Sequence, residues 1–230
     1  MKQINIGDIH GRTIWKDIVA KHPEADRFLF IGDYVDTHET INGLEQLNNL
    51  RDIIEFKKNN IDKVTLLIGN HDFQYWPGIS EQYSGYQPNM HKSFEYEFNE
   101  YKKLFQMCFE DEYGTIYSHA GLTETFVELR IGSYSEKNVN DVWRYKPQSF
   151  GFFYGDRSHC GDDIHQGCLW VRPQSLYRDK INNFQVVGHT QVSKIGHPPK
   201  SERKGFYDID CLAQGMYLSC IDGKFQIEKL

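Results

Sequence analysis

Three short apolar runs recur in the first third of the chain, at residues 2–6, 27–31 and 64–68, and each stops at a glycine. Their length and their glycine boundaries predict buried β-strands. Between the first two, Ile14 and Ile18 stand four apart with Trp15 and Val19 beside them, which predicts a helix over residues 13–20. Between the second and third, Leu44, Leu47, Leu50 and Ile54 share the spacing of one helical face. Strand and helix in alternation predict an α/β architecture.

The remainder is patterned less regularly. Residues 92–108 predict a helix carrying aromatics, residues 115–118 a short strand ending at His119, and residues 123–130 a helix capped by Thr123. Residues 133–163 are rich in glycine, aromatics and polar groups and are expected to be loops. Residues 184–187 predict a strand that ends at Gly188-His189. Residues 206–230 hold three apolar runs, expected as antiparallel strands with a hairpin at Asp222-Gly223. No repeat, low-complexity tract or linker breaks the sequence, so a single domain over residues 1–230 is expected.

Composition narrows the function classes. With 39% apolar and 25% charged residues the chain reads as soluble and globular. The formal charge of -6 argues against a broad nucleic-acid surface. No run of about 18 apolar residues predicts a membrane span. The start leads directly into a strand pattern rather than a signal peptide. Five cysteines at irregular spacings favour a reducing compartment, with a cytoplasmic location expected.

The strand ends carry the chemistry. Gly7-Asp8-Ile9-His10, Gly32-Asp33-Tyr34-Val35-Asp36, Gly69-Asn70-His71-Asp72, Ser118-His119 and Gly188-His189 each put metal-ligand side chains just past a predicted strand. Ligands in α/β sheets bind beyond the carboxyl ends of strands, so these groups are expected to converge on one edge, with glycine letting the backbone turn sharply. Mixed carboxylate, imidazole and amide donors suit Mn, Fe, Zn or Co better than Ca or Mg. Asp33 is the best candidate for a bridging ligand. Asp8, His10 and Asp33 would hold one ion, and Asp33, Asn70, His119 and His189 a second, about 3.5–4 Å away.

These segments resemble the calcineurin-like metallophosphoesterase superfamily, and within it the phosphoprotein phosphatase branch of small bacterial and bacteriophage type. The motifs GDIHG, GDYVD, GNHD, SHAG and GHT occur in the family's order at residues 7–11, 32–36, 69–72, 118–121 and 188–190. The resemblance implies two facing mixed β-sheets flanked by helices, with a dinuclear centre at the C-terminal edge of the strands. It implies two divalent ions, Mn first, with Fe, Zn, Co or Ni as alternatives. It makes His71 the general acid and Asp36 the group that orients it. It also implies a metal-dependent hydrolase that cleaves phosphomonoesters, phosphoserine and phosphothreonine in proteins included, by attack of a metal-bound hydroxide. Its partner would be a phosphorylated small molecule, phosphoprotein or nucleotide. The alternatives are a nucleotide-directed hydrolase acting on dinucleoside polyphosphates, cyclic nucleotides or polynucleotide ends, and an inactive binding module of the same fold.

The chain departs from that pattern at three places. Thr37 and Ile68 stand where protein phosphatases of this branch carry phosphate-clamping arginines, and Gln191 stands where many relatives have a further metal-binding histidine. Trp170-Val171-Arg172 resembles the Trp-x-Arg segment whose arginine reaches the phosphate, and Arg12, directly after the first motif, is a second candidate for that contact. His159, Cys160, His165 and Cys168 match no usual zinc spacing, and a loop covering the site would explain the segment as well. Tyr75 and Trp76, with Tyr83 and Tyr86, could stack on a base or sugar but are expected to pack locally. His22, His38, His91 and His197 carry no motif and are expected at the surface.

Overall fold

The computed structural model of the chain describes residues 1–155, 161–196 and 205–230. The first elements follow the hydrophobic pattern: β1 (Lys2–Ile6), α1 (Trp15–Lys21), β2 (Arg27–Phe30), α2 (Gly43–Asn59) and β3 (Val64–Leu67). Asn42 starts α2 with a capping box, its side-chain oxygen accepting the amides of Leu44 and Glu45 while the Glu45 carboxylate accepts the Asn42 N–H. The buried face of α2 begins one turn later than its spacing suggests. Leu44 is 60% exposed, whereas Leu47, Leu50, Ile53 and Ile54 are buried. A single helical turn, α3 (Asn70–Phe73), follows β3 directly.

The helix expected over residues 92–108 is shorter. It runs as α4 (His91–Glu100), turns through a 3₁₀ segment at Lys102–Leu104, and becomes β4 (Phe105–Gln106) and β5 (Cys108–Glu110). The side-chain oxygen of Asn140 accepts the N–H groups of Met107 and Cys108 and holds the chain extended there. After β6 (Ile116–Ser118), Thr123 caps α5 (Glu124–Phe126) as expected, accepting the Phe126 N–H at 3.1 Å. That helix then widens into a π-turn at Val127–Ile131 and stops at Gly132.

The stretch expected as loops contains α6 (Glu136–Tyr145). Ser135 caps it by accepting the Asn138 N–H, and Val139 and Trp143, four apart, fill its buried stripe. Two buried positions in a polar stretch are a weak periodic signal. Also unforeseen is α7 (Pro173–Asp179), which starts with proline at its first position.

The last elements are β7 (Gln185–Val187), β8 (Phe206–Asp208), β9 (Met216–Ile221) and β10 (Lys224–Lys229). The hairpin between β9 and β10 forms as expected, with Asp222 and Gly223 at φ of 48° and 77°. Strand β8 does not join it. It pairs in parallel with β7 in the other sheet.

Two mixed sheets result, ordered β10-β9-β1-β2-β3-β4 and β5-β6-β7-β8. Successive residues of β2 point to opposite faces, and both faces are buried. Phe28 and Phe30 pack with Trp15, Leu50 and Ile53 under the helices. Leu29 and its neighbour Ile31 pack with Tyr117, Val186 and Tyr207 in the layer between the sheets. Strands β1, β2 and β3 are parallel, as are β6 and β7, so the segments following them leave at a common edge. Among the described residues no helix is long and apolar enough to cross a membrane. His22, expected at the surface, is buried, with Nε2 at 2.8 Å from the Tyr217 hydroxyl. His197 lies outside the described residues.

Candidate metal centre

The turns out of the strands are made by the ligand-type residues themselves. Among the described non-glycine residues with positive φ, four of the five lie here: His10 (47°), Asp33 (51°), Asp36 (58°) and His189 (68°). A left-handed non-glycine residue costs roughly 1 kcal/mol, and clusters of them mark functional sites. Backbone bonds hold the strain: His10 N–H donates to the Asp33 carbonyl at 2.6 Å and Gly11 N–H to that of Tyr34 at 3.0 Å. The flanking glycines mainly supply room. A Cβ on Gly188 would lie 2.0 Å from Asp8 Oδ1, and one on Gly69 2.1 Å from Asp33 Oδ1.

Side chains from five strand ends thus meet. Ligand atoms of Asp8, Asp33 and His119 lie within 4.8 Å of one another, all three residues buried. His10 Nε2 is 3.7 Å from Asp33 Oδ2, and His119 Nε2 is 3.4 Å from the same oxygen. Asn70 Oδ1 sits 2.8 Å from both His119 Nε2 and His189 Nδ1. Asp33 Oδ1 accepts the His71 N–H at 2.9 Å, and Asp8 Oδ2 accepts the His189 N–H at 2.9 Å.

The proton positions show what the cluster lacks. A carbonyl only accepts, so His119 Nδ1 donates to Ile31 O and His10 Nδ1 donates to Asp36 O. Burial lowers the proton affinity of both rings and favours their neutral forms. Their Nε2 lone pairs then face the oxygens of Asn70 and Asp33 with no hydrogen between. Asp8 Oδ1 and His189 Nε2 are buried with no partner among the described residues. Burial, then Asp210 and Asp33, push the Asp8 carboxyl well above its usual range. Burial would also raise Asp33, but attraction to the surrounding imidazoles when protonated, His119 first and then His71 and His10, together with the His71 N–H that it accepts, brings it to about 2. Convergent lone pairs and an unsatisfied buried carboxylate are what divalent cations satisfy, and the donor set fits them.

His71 and Asp36 stand beside this cluster, Nδ1 to Oδ2 at 3.4 Å. Asp36 also accepts from the Tyr75 hydroxyl and from the side chains of Gln74 and Gln87. Burial opposes protonation of His71, but Asp33 and Asp36 prevail and raise it to about 9. Asp72, the last residue of its motif, ties the loops: its carboxylate accepts the N–H groups of Tyr34 and Gly69.

The cluster opens into a cleft of about 610 Å³. Arg172 lines it, with Nη1 donating to the His189 carbonyl and to Thr190 Oγ1. Arg12 also lines it, but its guanidinium is bound to the Glu39 carboxylate and the Asp8 carbonyl. Thr37 and Gln191 are on the wall, whereas Ile68 is fully buried in the core and faces no ligand. Tyr75 and Trp76 are buried too, so only Tyr83 of that aromatic group reaches the cleft. His165 is bonded to Asp163 and Cys168 is buried, while His159 and Cys160 lie outside the described residues.

Sequence reasoning missed two features. Asp210 lines the cleft and is raised to about 6, mainly by burial and then by Asp33. It follows a strand, as the other carboxylates do, but has no glycine before it. Phe152, Tyr154 and Trp170 join Tyr83 as an aromatic wall drawn from distant parts of the chain.

Comparison with known proteins bears on the fold. The structure covers 80% of a mutant cold-active protein tyrosine phosphatase with all of its own length, at 15% identity and a TM-score of 0.61. It covers 79% of a protein serine/threonine phosphatase from Saccharomyces cerevisiae, described as similar to human phosphatase PP5, at 14% identity and a TM-score of 0.62. No curated protein sequence matches the chain significantly. Residues 1–193 match the sequence profile of the calcineurin-like phosphoesterases. With its motif residues gathered at one sheet edge and most of its length within that profile, the chain belongs to the calcineurin-like phosphoesterase family.

Proposed function

We propose that this protein is a two-metal phosphoesterase that hydrolyses phosphomonoesters, phosphoserine and phosphothreonine among them. The observation that carries the reading is the position of Asn70 Oδ1, 2.8 Å from both His119 Nε2 and His189 Nδ1, beside the Asp33 carboxylate. Asp8, His10 and Asp33 would hold one ion, and Asp33, Asn70, His119 and His189 the other. When bound, the ions supply Lewis acidity toward the phosphoryl oxygens and an activated water.

The chain's own groups do the rest. Asp36 keeps the His71 ring oriented, and His71 delivers a proton to the departing oxygen. That step matters most for alkoxides, which leave poorly unprotonated, and is worth roughly 10²–10⁴-fold. Arg172 meets a phosphoryl oxygen, while its bonds to His189 and Thr190 fix its approach. A nucleotide-directed hydrolase is the second reading, favoured by Thr37 and the buried Ile68 at the two clamp positions.

The test is hydrolysis of p-nitrophenyl phosphate and a phosphoseryl peptide after Mn loading, with metal content measured alongside. Two bound ions with turnover support the reading. Less than one ion per chain and no turnover favour an inactive binding module.

A further inference from the structure

The cleft has two unlike sides. One presents His10, Asp33, Asn70, His71 and His189, and the other presents Tyr83, Phe152 and Tyr154, backed by the buried Trp170. The rings form a chain of mutual contacts that begins beside His189. Trp170 packs edge-on to His189 with centroids 6.1 Å apart, then meets Tyr83 at 4.3 Å and Phe152 at 5.4 Å. Phe152 in turn meets Tyr154 at 5.2 Å.

These rings are held in place by polar contacts. Trp170 Nε1 donates to the Phe150 carbonyl, Tyr83 N–H donates to Gln74, and Phe152 N–H donates to the Tyr83 hydroxyl. Tyr154, at the mouth, is 62% exposed. With the half-buried rings of Tyr83 and Phe152 it sets aromatic surface beside the polar groups of the same cleft, an arrangement that suits a planar ligand. These rings share the cleft with Arg12, Glu39, Ser84 and Gln191, and they are the apolar part of its lining.

We infer that the aromatic wall selects phosphate esters whose leaving group carries a planar aromatic ring, either an aryl group or a nucleobase. This rests on the phosphatase reading above. Stacking on such a wall is worth roughly tenfold or more per ring in binding.

Matched ester pairs test it on the Mn-loaded protein. Benzyl phosphate against cyclohexylmethyl phosphate compares rings of like size on similar leaving oxygens. Adenosine 5′-monophosphate against ribose 5-phosphate adds a base to the same leaving oxygen. The expected result is about tenfold higher kcat/KM for the aromatic member of at least one pair, carried mainly by KM. Preference in the first pair alone identifies an aryl group, and in the second alone a nucleobase. Tyr154→Leu and Phe152→Leu are expected to bring that ratio toward one. Equal values in both pairs, or a preference that survives both substitutions, overturn the inference and leave the phosphatase reading standing. Failure to hydrolyse any of the four esters or p-nitrophenyl phosphate overturns the phosphatase reading, and this inference with it.

Discussion

His71, at the cleft wall, and the buried Asp36 form a pair whose geometry is fixed from the Asp36 side. The His71 Nδ1 lies 3.4 Å from Asp36 Oδ2, and the same carboxylate is held by Tyr75, Gln74 and Gln87. The Asp36 backbone also serves the cluster, its carbonyl accepting from His10 Nδ1 at 2.7 Å. One residue therefore orients both a proposed acid and a proposed ligand.

From this pairing, Asp36→Asn is expected to slow hydrolysis of alkyl phosphates by about 10²-fold or more while slowing p-nitrophenyl phosphate far less. His71→Ala should behave the same way, with metal content unchanged. Steady-state kinetics on both ester types check this. Equal losses on good and poor leaving groups would remove His71 as the acid.

Gly188→Ala should weaken metal binding by at least about tenfold and lower Tm, because its Cβ would come within 2.0 Å of Asp8 Oδ1. Gly196→Ala serves as the control, since among the described residues nothing lies within 4 Å of its Cβ. Calorimetric titration with Mn and thermal melts read both effects. Native-like metal affinity in Gly188→Ala would mean that Asp8 has more freedom than this packing allows.

Arg172→Ala should raise KM for monoesters by about tenfold and for diesters much less, since a diester carries one negative charge fewer. A merely structural arginine, acting through its bonds to His189 and Thr190, would affect both substrates alike. The ratio of the two KM changes separates the cases.

Asp208 gives a stability prediction for the metal-free protein. Burial raises its carboxyl to about 8, and Oδ2 has no partner among the described residues. Between the ordinary carboxylate pKa and about 8, the folded state binds the extra proton, so this group makes stability fall as pH rises and level off above pH 8. Asp208→Asn should therefore stabilise the metal-free protein by on the order of 1 kcal/mol at pH 8, and hardly at all at pH 4. Denaturant melts at the two pH values measure it, and an equal effect at both would contradict the assignment.

The strand-end motifs were legible because each puts a ligand-type residue at a fixed place after an apolar run, and local sequence reports such places. The hairpin at Asp222-Gly223 was legible for the same reason. Helix α6 was not, since only Val139 and Trp143 mark its buried face. The path of residues 101–110 was decided by Asn140, far along the chain, which no local pattern reveals. Asp210 was hidden because residues 206–208 pair with β7 rather than with the final hairpin. The aromatic wall draws on residues 83, 152, 154 and 170, and only the fold brings them together.

The most direct measurement of the central claim is electron paramagnetic resonance of the Mn-titrated protein, with metal content determined in parallel. The account predicts two ions per chain and an exchange-coupled signal that is lost in Asp33→Asn. A single ion per chain, or the plain sextet of isolated Mn at saturation, would contradict it.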